Sequence, residues 1–262
     1  MVTYADNVLT WVVHFLLIAT RMTSVFVLSP ILGRNNIPSM AKIGLSVLTA
    51  FILINLYPPA QSYPFDNLPS LLLAIVLELM VGLVIGFGVL AFFHIMHIAG
   101  QIIDVQIGFS MSQQFDPSSG GQVSVSGTLL NLVFIECFLV ADGIPTLIHI
   151  MGRTFEVIPV GKGVAAPELA WVALESFSLC FTLAINIAMP LLASALLCEI
   201  ALGIIVRTAP QMNVFVIGIP IKVIVGLVML AMSVPIFVSV TNSLFDHMYD
   251  TVNDLLTLMV PG

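Results

Sequence analysis

Long apolar segments separated by short polar connections dominate the pattern along this chain. Six such runs occupy residues 8–31, 43–57, 68–103, 129–140, 169–206 and 214–240. No strand-like alternation competes with them, so the pattern predicts helices throughout. The third and fifth runs are much longer than the roughly 20 residues that cross a bilayer, so we expect each to be broken, tilted or projecting beyond it.

Three glycines in the third run, Gly82, Gly86 and Gly88, mark a bend or a tight helix contact. Gly82 and Gly86 have the spacing of two small residues that lets helices approach closely. The same spacing is common by chance in apolar sequence, so a specific packing role and simple coincidence both stay open.

A polar elbow interrupts the last long apolar stretch and predicts a helical hairpin. The elbow consists of Arg207, Thr208, Ala209, Pro210, Gln211, Met212 and Asn213. The midpoint between Glu199 and Lys222 falls inside this elbow, so antiparallel arms would place the carboxylate opposite the ammonium. Both would lie roughly 17 Å from the tip, at a rise of about 1.5 Å per residue. Because a lone charge is costly at such depth, we predict an ion pair.

The segment 108–126 differs from the rest of the chain because it contains three glycines, six serines and a single charge, Asp116. It also carries the bulky apolar residues Phe109, Met111 and Phe115. One interpretation is a flexible plug whose apolar side chains close an aqueous path, as hydrophobic constrictions do. The alternative is a solvent-exposed connector whose apolar residues rest on the surface.

The composition of the chain is typical of a membrane protein. It is 59% hydrophobic and 8% charged, with a mean hydropathy of +1.13, whereas soluble domains have about 25% charged residues. We therefore predict an all-α, polytopic membrane-type protein made of broken, tilted helical hairpins. The net charge of −7 excludes a nucleic-acid binder, because no basic patch could meet phosphates.

The charges fit a simple series of membrane crossings only in part. Arg34 and Lys42, with Arg21 nearby, place the first connection in the cytoplasm, but the same counting places Arg153 and Lys162 outside. Several acidic residues interrupt the apolar runs and need partners or an aqueous lining. They are Glu78, Asp104, Glu136, Asp142, Glu175 and Glu199.

Residues that could carry chemistry are few. His94 and His97 have helical spacing, but no adjacent carboxylate or cysteine completes a metal-ligand set, so we predict no metal site. The cysteines, Cys137, Cys180 and Cys198, lie in apolar runs without metal-ligand or paired spacing. No nucleophile elbow, phosphate-binding loop or dinucleotide motif is present, so we predict neither catalytic residues nor a cofactor.

The elbow and its arms resemble the carboxy-terminal signature of the FliR family of flagellar type III export proteins. The residues that carry this resemblance are Pro190, Leu191, Leu192, Glu199, Gly203, Arg207, Pro210, Gln211, Met212, Asn213, Val214, Phe215, Gly218, Pro220, Lys222 and Gly226. Arg21, Pro30, Gly33, Pro38 and Lys42 resemble its amino-terminal pattern, and Gly108, Phe109, Ser110, Met111, Asp116 and Pro117 its central loop, with Asp142, Gly143 and Pro159 following. Ile144, Pro145 and Thr154 depart mildly from the family pattern.

The resemblance implies a division of the chain into two regions. Residues 1–167 would be a FliP-like region that includes a plug loop at 106–122, and residues 168–262 would be a hairpin similar to the small partner FliQ. The plug residues would be Gly108, Phe109, Ser110, Met111, Phe115, Asp116, Pro117, Gly120 and Gly121. Arg207, Pro210, Gln211, Met212 and Asn213 would form a cytoplasmic elbow that contacts a partner.

The resemblance further implies a subunit that closes a helical core of FliP, FliQ and FliR in the bacterial inner membrane. Tilted helices would stack into a cone, much of it raised toward the periplasm in the flagellar basal body, with FlhB and FlhA as further partners. Unfolded flagellar subunits would pass through its lumen, with energy supplied by other components. A small-solute or ion transporter and a purely structural scaffold remain the alternatives.

Overall fold

The computed structural model describes the chain except residues 1, 34–36, 60–67, 110–123, 165, 209–213 and 261–262, and except the side chains of 2–7 and 214–217. Within the described ranges the secondary structure is helical. The helices are α1 (Val2–Leu28), α2 (Ser39–Leu56), α3 (Leu68–Ile107), α4 (Val125–Val140), α5 (Gly143–Val157), α6 (Glu168–Thr208) and α7 (Val214–Thr257). The prediction of an all-α protein is confirmed.

The two apolar runs that are too long for a simple span form the continuous helices α3 and α6, so of the three predicted options a break is wrong, whereas tilt and projection stay predictions. α3 is one uninterrupted helix of 40 residues, and α6 and α7 contain 41 and 44 residues. α6 continues through Pro190, and α7 continues through Pro220 and Pro235. In membrane-type proteins, neighbouring helices, hydroxyl side chains and local adjustments of the helix satisfy the backbone groups that proline and glycine free, so such helices tolerate both residues.

α5 is a helix that the apolar runs do not indicate. His149, Arg153 and Glu156 interrupt its sequence at helical spacing, and all three are exposed. The helix is therefore amphipathic, with Ile150, Met151 and Phe155 buried. Asp142 precedes it with a φ of 54°, a left-handed conformation that aspartate adopts more readily than most residues.

Five of the described helices are long and apolar enough to cross a membrane, and α4 with α5 taken together would make a sixth. The five segments are Val8–Leu28, Ser39–Leu56, Leu68–Ile107, Glu168–Thr208 and Gly218–Thr257. Their number and composition agree with the predicted polytopic membrane protein.

One compact unit consists of Met1–Ala91, Asp142–Ser176 and Asp246–Gly262. Within this unit, α1 packs closely against α3 at two glycines of α3, Gly82 and Gly86. A Cβ atom at Gly82 would overlap Ser24 Oγ and crowd the Arg21 carbonyl, and one at Gly86 would lie 2.7 Å from Leu28 Cβ. The close-packing interpretation of these glycines is therefore correct, whereas α3 shows no break there.

The second unit consists of Phe92–Ala141 and Phe177–Phe245. Four phenylalanines from three helices form its core: Phe93, Phe134, Phe138 and Phe245. Adjacent ring centroids lie 4.9–5.3 Å apart, mostly edge to face, an arrangement favoured by the charge distribution of aromatic rings. The predicted boundary at residue 168 is based on resemblance to two other proteins, and it stays a prediction.

Candidate functional site

A buried ion pair joins α1 to α3 in the first unit. Arg21 Nε lies 2.5 Å from Glu78 Oε2, and Arg21 Nη2 donates to Glu78 Oε1 at 3.0 Å. The two side chains are 0% and 1% exposed. Two parallel charge-assisted hydrogen bonds of this kind fix both the distance and the orientation of the two helices.

The last turn of α5 and the segment that follows it satisfy the remaining polar atoms of this pair. Arg21 Nη1 donates to the carbonyls of Thr154 at 3.2 Å and Ile158 at 3.1 Å, and Gly161 N donates to Glu78 Oε1 at 2.7 Å. The guanidinium also stacks 4.3 Å from the centroid of the Phe155 ring. The centre is thus a closed network with fully buried charges, which suits a structural role better than a site for a passing ion.

In the second unit, Lys222 Nζ on α7 donates to Glu199 Oε1 on α6. The structure therefore brings together Glu199 and Lys222, the two charges whose equal distances from the elbow predict an ion pair. The side chains are partly open, at 26% for Lys222 and 41% for Glu199. Exposed apolar residues surround them on both arms, namely Leu196, Leu197, Ile200, Ile221 and Ile224. This pair therefore lies on an apolar face, and its function stays a prediction.

The elbow between these arms is described only at its edge. Arg207 lies in the last turn of α6 and is exposed. Pro210, Gln211, Met212 and Asn213 lie outside the described residues. The basic side chain at the carboxyl end of α6 is favourable there because the helix dipole is negative at that end.

The predicted plug loop is described only where it leaves α3. Gly108 has a φ of +98°, and Phe109 follows it half-buried. The other predicted plug residues, Ser110, Met111, Phe115, Asp116, Pro117, Gly120 and Gly121, lie outside the described residues. The left-handed backbone at Gly108 favours glycine and ends the helix in a defined direction.

The two ends of this loop are joined by Asp104, a buried residue in the last turns of α3. Its carboxylate accepts a hydrogen bond from Ser124 Oγ at 2.7 Å and another from Ser126 N at 3.2 Å. Ser124 Oγ in turn accepts from Gly127 N at 2.8 Å and caps α4. We call Asp104, Ser124 and Ser126 the loop-base clamp.

A glycine contact supports the loop-base clamp. A Cβ atom at Gly100 would overlap the backbone of Gly127, and a Cβ atom at Gly127 would lie 3.2 Å from the His97 carbonyl oxygen. α3 and α4 therefore meet backbone to backbone directly beside the base of the loop. His94 and His97 lie on the same helix with ring centroids 6.0 Å apart. In the described part of the chain, no three His, Cys, Asp or Glu residues form a possible metal site.

The chain matches one protein family, described as bacterial export proteins, family 1, over residues 12–248. It belongs to this family. It is 30% identical over 248 residues to the flagellar biosynthetic protein FliR of Bacillus subtilis, covering 94% of this chain and 95% of the relative. The similarity to FliR of Escherichia coli is 29% over 254 residues, or 97% of this chain and 96% of that one.

A relative with a different name covers slightly less of the chain. It is the Yop proteins translocation protein T of Yersinia pestis, 28% identical over 222 residues, or 83% of this chain and 84% of the relative. The resemblance based on the elbow, the loop and the amino-terminal motif is confirmed over nearly the whole chain. The family and the apolar helices together place this export protein in a membrane.

Sequence reasoning missed two of the polar centres in this family member. Glu78 and Asp104 stand out in the sequence as charges that need partners, but nothing there pairs them with Arg21 or Ser124. Arg21 and Glu78 are 57 residues apart. The available signal was the occurrence of each charge inside an apolar run, which predicts that a partner exists without indicating which residue it is.

Proposed function

We propose that this chain is a structural and gating subunit of the flagellar type III protein export gate. The observation that supports this most strongly is the family match over residues 12–248, together with FliR relatives aligned over nearly their full length. We infer that the chain assembles with FliP and FliQ in the bacterial inner membrane, next to FlhB and FlhA, with much of it on the periplasmic side. Unfolded flagellar subunits are the transported substrates.

The proposed role is mechanical, and the arrangement of charges supports it. The Arg21–Glu78 centre is 0–1% exposed and hydrogen-bonded on all sides by its own unit. A small-solute transporter needs ionisable groups that a substrate or a coupling ion can reach. The fully buried and internally satisfied charges of this one centre therefore favour a rigid gate subunit over the transporter alternative.

The exposed arms of α6 and α7 suit a subunit that lies among similar subunits. Leucine and isoleucine side chains on both arms are more than a third exposed, including Leu197 at 68% and Ile224 at 61%. Such faces need cover from lipid or from neighbouring chains. We propose that the FliQ-like hairpin packs into a helical ring of subunits, with the elbow residues Arg207, Pro210, Gln211, Met212 and Asn213 and the Glu199–Lys222 pair at its contacts.

We propose that the loop from Gly108 to Gly121 seals the lumen when no substrate is present. The loop-base clamp supports this proposal, because it fixes the two helix ends from which the loop leaves. A seal needs a fixed base, whereas its tip must give way to a polypeptide. Phe109, Met111 and Phe115 would supply the apolar constriction.

Ion leakage through the membrane tests this function. The intact chain and a deletion of residues 108–121 are expressed with their partner subunits in bacterial inner membranes, and assembly is checked by co-purification. We expect leakage in the deletion only. A control that removes residues 61–64 from another connection should leave the membrane tight. Equally low leakage with the intact chain and with the deletion of residues 108–121, at normal assembly, would contradict the proposal that the loop is a seal. Failure of the intact chain to co-purify with FliP or FliQ would contradict the proposal that it is a subunit of the export gate.

A further inference from the structure

The first unit contains an apolar cavity of about 240 Å³ among α1, α2, α3 and α5. Its inner wall includes Val25 and Phe26 on α1, Ile85 and Val89 on α3, and Met151 on α5. An apolar cavity of about 150 Å³ in another protein stays dry and binds benzene. This cavity is larger and has a similar apolar lining, so its size and chemistry suit a hydrocarbon group.

The two hydroxyl residues in the lining do not change that chemistry. Ser29 Oγ accepts a hydrogen bond from Leu32 N at 3.3 Å, and Thr49 Oγ1 donates to the Ser46 carbonyl at 2.9 Å. Both side chains are thus engaged with the backbone of their own segment. A polar occupant would find little to bind inside the cavity, whereas a hydrocarbon chain would gain close dispersion contacts along its length.

The mouth of the cavity is also apolar. Leu45, Ile144 and Ile148 line it and are 36%, 41% and 53% exposed. Leu45 belongs to α2, which has the length and hydropathy of a membrane span and is mostly exposed along its apolar window. The cavity therefore opens on a surface that lies against hydrocarbon when α2 crosses the membrane.

A positive charge, Lys42, lies next to segments that line the cavity, outside the lining itself. Lys42 Nζ donates to the Gly33 carbonyl at 2.8 Å, and Gly33 directly follows Leu32, which lines the cavity. Lys42 also precedes Leu45 by about one turn of α2. Among the described residues no carboxylate forms an ion pair with Lys42. An ammonium has three donors, so donors remain for an anionic group outside the chain.

We propose that this cavity binds one acyl chain of an anionic phospholipid, whose phosphate pairs with Lys42. The juxtaposition of a hydrocarbon-lined cavity, an apolar mouth and a lysine next to the lining segments matches both parts of such a lipid. Basic pockets between membrane helices bind lipid head groups in the same way. A partner helix that carries a carboxylate is the competing occupant, and assembly with the partner subunits distinguishes it from a lipid in the experiment below.

Photo-crosslinking tests the acyl-chain part of this proposal. The full-length chain is reconstituted in vesicles of phosphatidylcholine with phosphatidylglycerol that carries a diazirine in one acyl chain, and labelled peptides are mapped by mass spectrometry. We expect labelling of the peptides that contain Leu32, Leu45 and Met151. Leu45→Trp should block the mouth and reduce this labelling to background. Leu48→Trp, at a 56% exposed position on the same helix outside the lining, is the matched control.

A second pair of variants tests the phosphate contact. Lys42→Gln should reduce the preference for phosphatidylglycerol over phosphatidylcholine by about five-fold, since one lysine near an anionic lipid contributes about 1 kcal/mol. Lys162→Gln removes an exposed charge elsewhere in the same unit and should leave that preference unchanged.

Three results would overturn the proposal. Unchanged labelling in Leu45→Trp would show that the lipid contacts only the outer surface, and an unchanged preference in Lys42→Gln would remove the phosphate contact. Labelling that disappears when the chain is assembled with its partner subunits would assign the cavity to a protein segment. None of these measurements involves export, so they test lipid binding separately from the proposed function.

Discussion

Arg21 illustrates how a charge is accommodated inside this protein. Its guanidinium is fully buried, yet Glu78, the Thr154 and Ile158 carbonyls and the Phe155 ring surround it. A buried pair of this kind adds little net stability by itself, because both ions lose their hydration. Its main effect is geometric, since the bidentate contact sets the register of α1 against α3 and holds the segment after α5 to both.

We predict that Arg21→Met destabilises the protein by about 3–5 kcal/mol, because Glu78 would remain buried without its partner. The double variant Arg21→Met with Glu78→Leu should recover only part of this loss, because the Ile158 carbonyl and Gly161 N would still lose their partners. Thermal unfolding of the detergent-solubilised protein measures both effects. Arg153→Met, at an exposed position, is the control. A single variant as stable as the parent would contradict the proposed role of this network.

We predict opposite effects for alanine at two helical glycines. Gly100→Ala should destabilise the protein by about 1–3 kcal/mol, because its Cβ would overlap the Gly127 backbone. Gly44→Ala should be neutral or stabilising by up to about 1 kcal/mol, since no atom beyond the adjoining helix backbone lies within 4 Å of the added Cβ. The same unfolding measurement compares them. Equal stability of the two variants would show that α3 and α4 can separate without penalty.

At the scale of elements, the helices and most of their bounds follow from the apolar pattern. α1, α2, α3, α4, α6 and α7 all correspond to predicted runs, although α7 extends well past residue 240 to Thr257. The apolar runs did not predict α5, because His149, Arg153 and Glu156 interrupt its apolar positions. The pattern also failed to show that Pro190 and Pro235 lie inside continuous helices, because tertiary packing decides whether a proline ends a helix.

The loop-base clamp joins two such elements, and we predict that Asp104→Ala loosens it. The change leaves Ser124 Oγ and Ser126 N without their acceptor, a loss of about 1–3 kcal/mol for each buried group. If the clamp positions the proposed seal, ion leakage should rise in membranes that contain the assembled gate. Asp104→Asn retains one acceptor oxygen and should leak less than Asp104→Ala.

The control for this prediction is Glu136→Ala, which removes an exposed carboxylate from α4. Assembly is compared by co-purification, and only variants that assemble equally are scored. A tight membrane in Asp104→Ala with normal assembly would show that the loop keeps its position without the clamp. A graded response from alanine to asparagine would identify hydrogen bonding, rather than loss of the helix, as the cause.

At the scale of the whole molecule, α6 and α7, like α2, leave most of their apolar surface uncovered. Only 17% and 22% of their apolar windows are buried within the chain, whereas α3 reaches 44%. The Glu199–Lys222 pair lies on this surface, partly open. When such an apolar surface is covered, each charge of the pair needs the other, because a single charge buried without its partner is strongly destabilising.

We predict that Lys222→Glu prevents assembly, because two carboxylates would then oppose each other on a covered apolar face. The exchange of charges, Glu199→Lys with Lys222→Glu, should restore assembly if the pair acts only to join α6 to α7. Co-purification with the partner subunits and swimming motility measure the result. If the variant with exchanged charges folds but does not assemble, a neighbouring subunit contacts Glu199 or Lys222 directly.

The sequence by itself determined the helical class, the membrane setting, the family and the hairpin, because these depend on local periodicity, composition and short ordered motifs. It also indicated Glu199 and Lys222 as partners, since both lie at equal distances from one elbow. Only the tertiary structure decided that Arg21 pairs with Glu78, that Asp104 joins the ends of the central loop, and that Gly82 and Gly100 are contact points. Those pairings depend on which helix faces meet, and many helix arrangements satisfy the same apolar pattern.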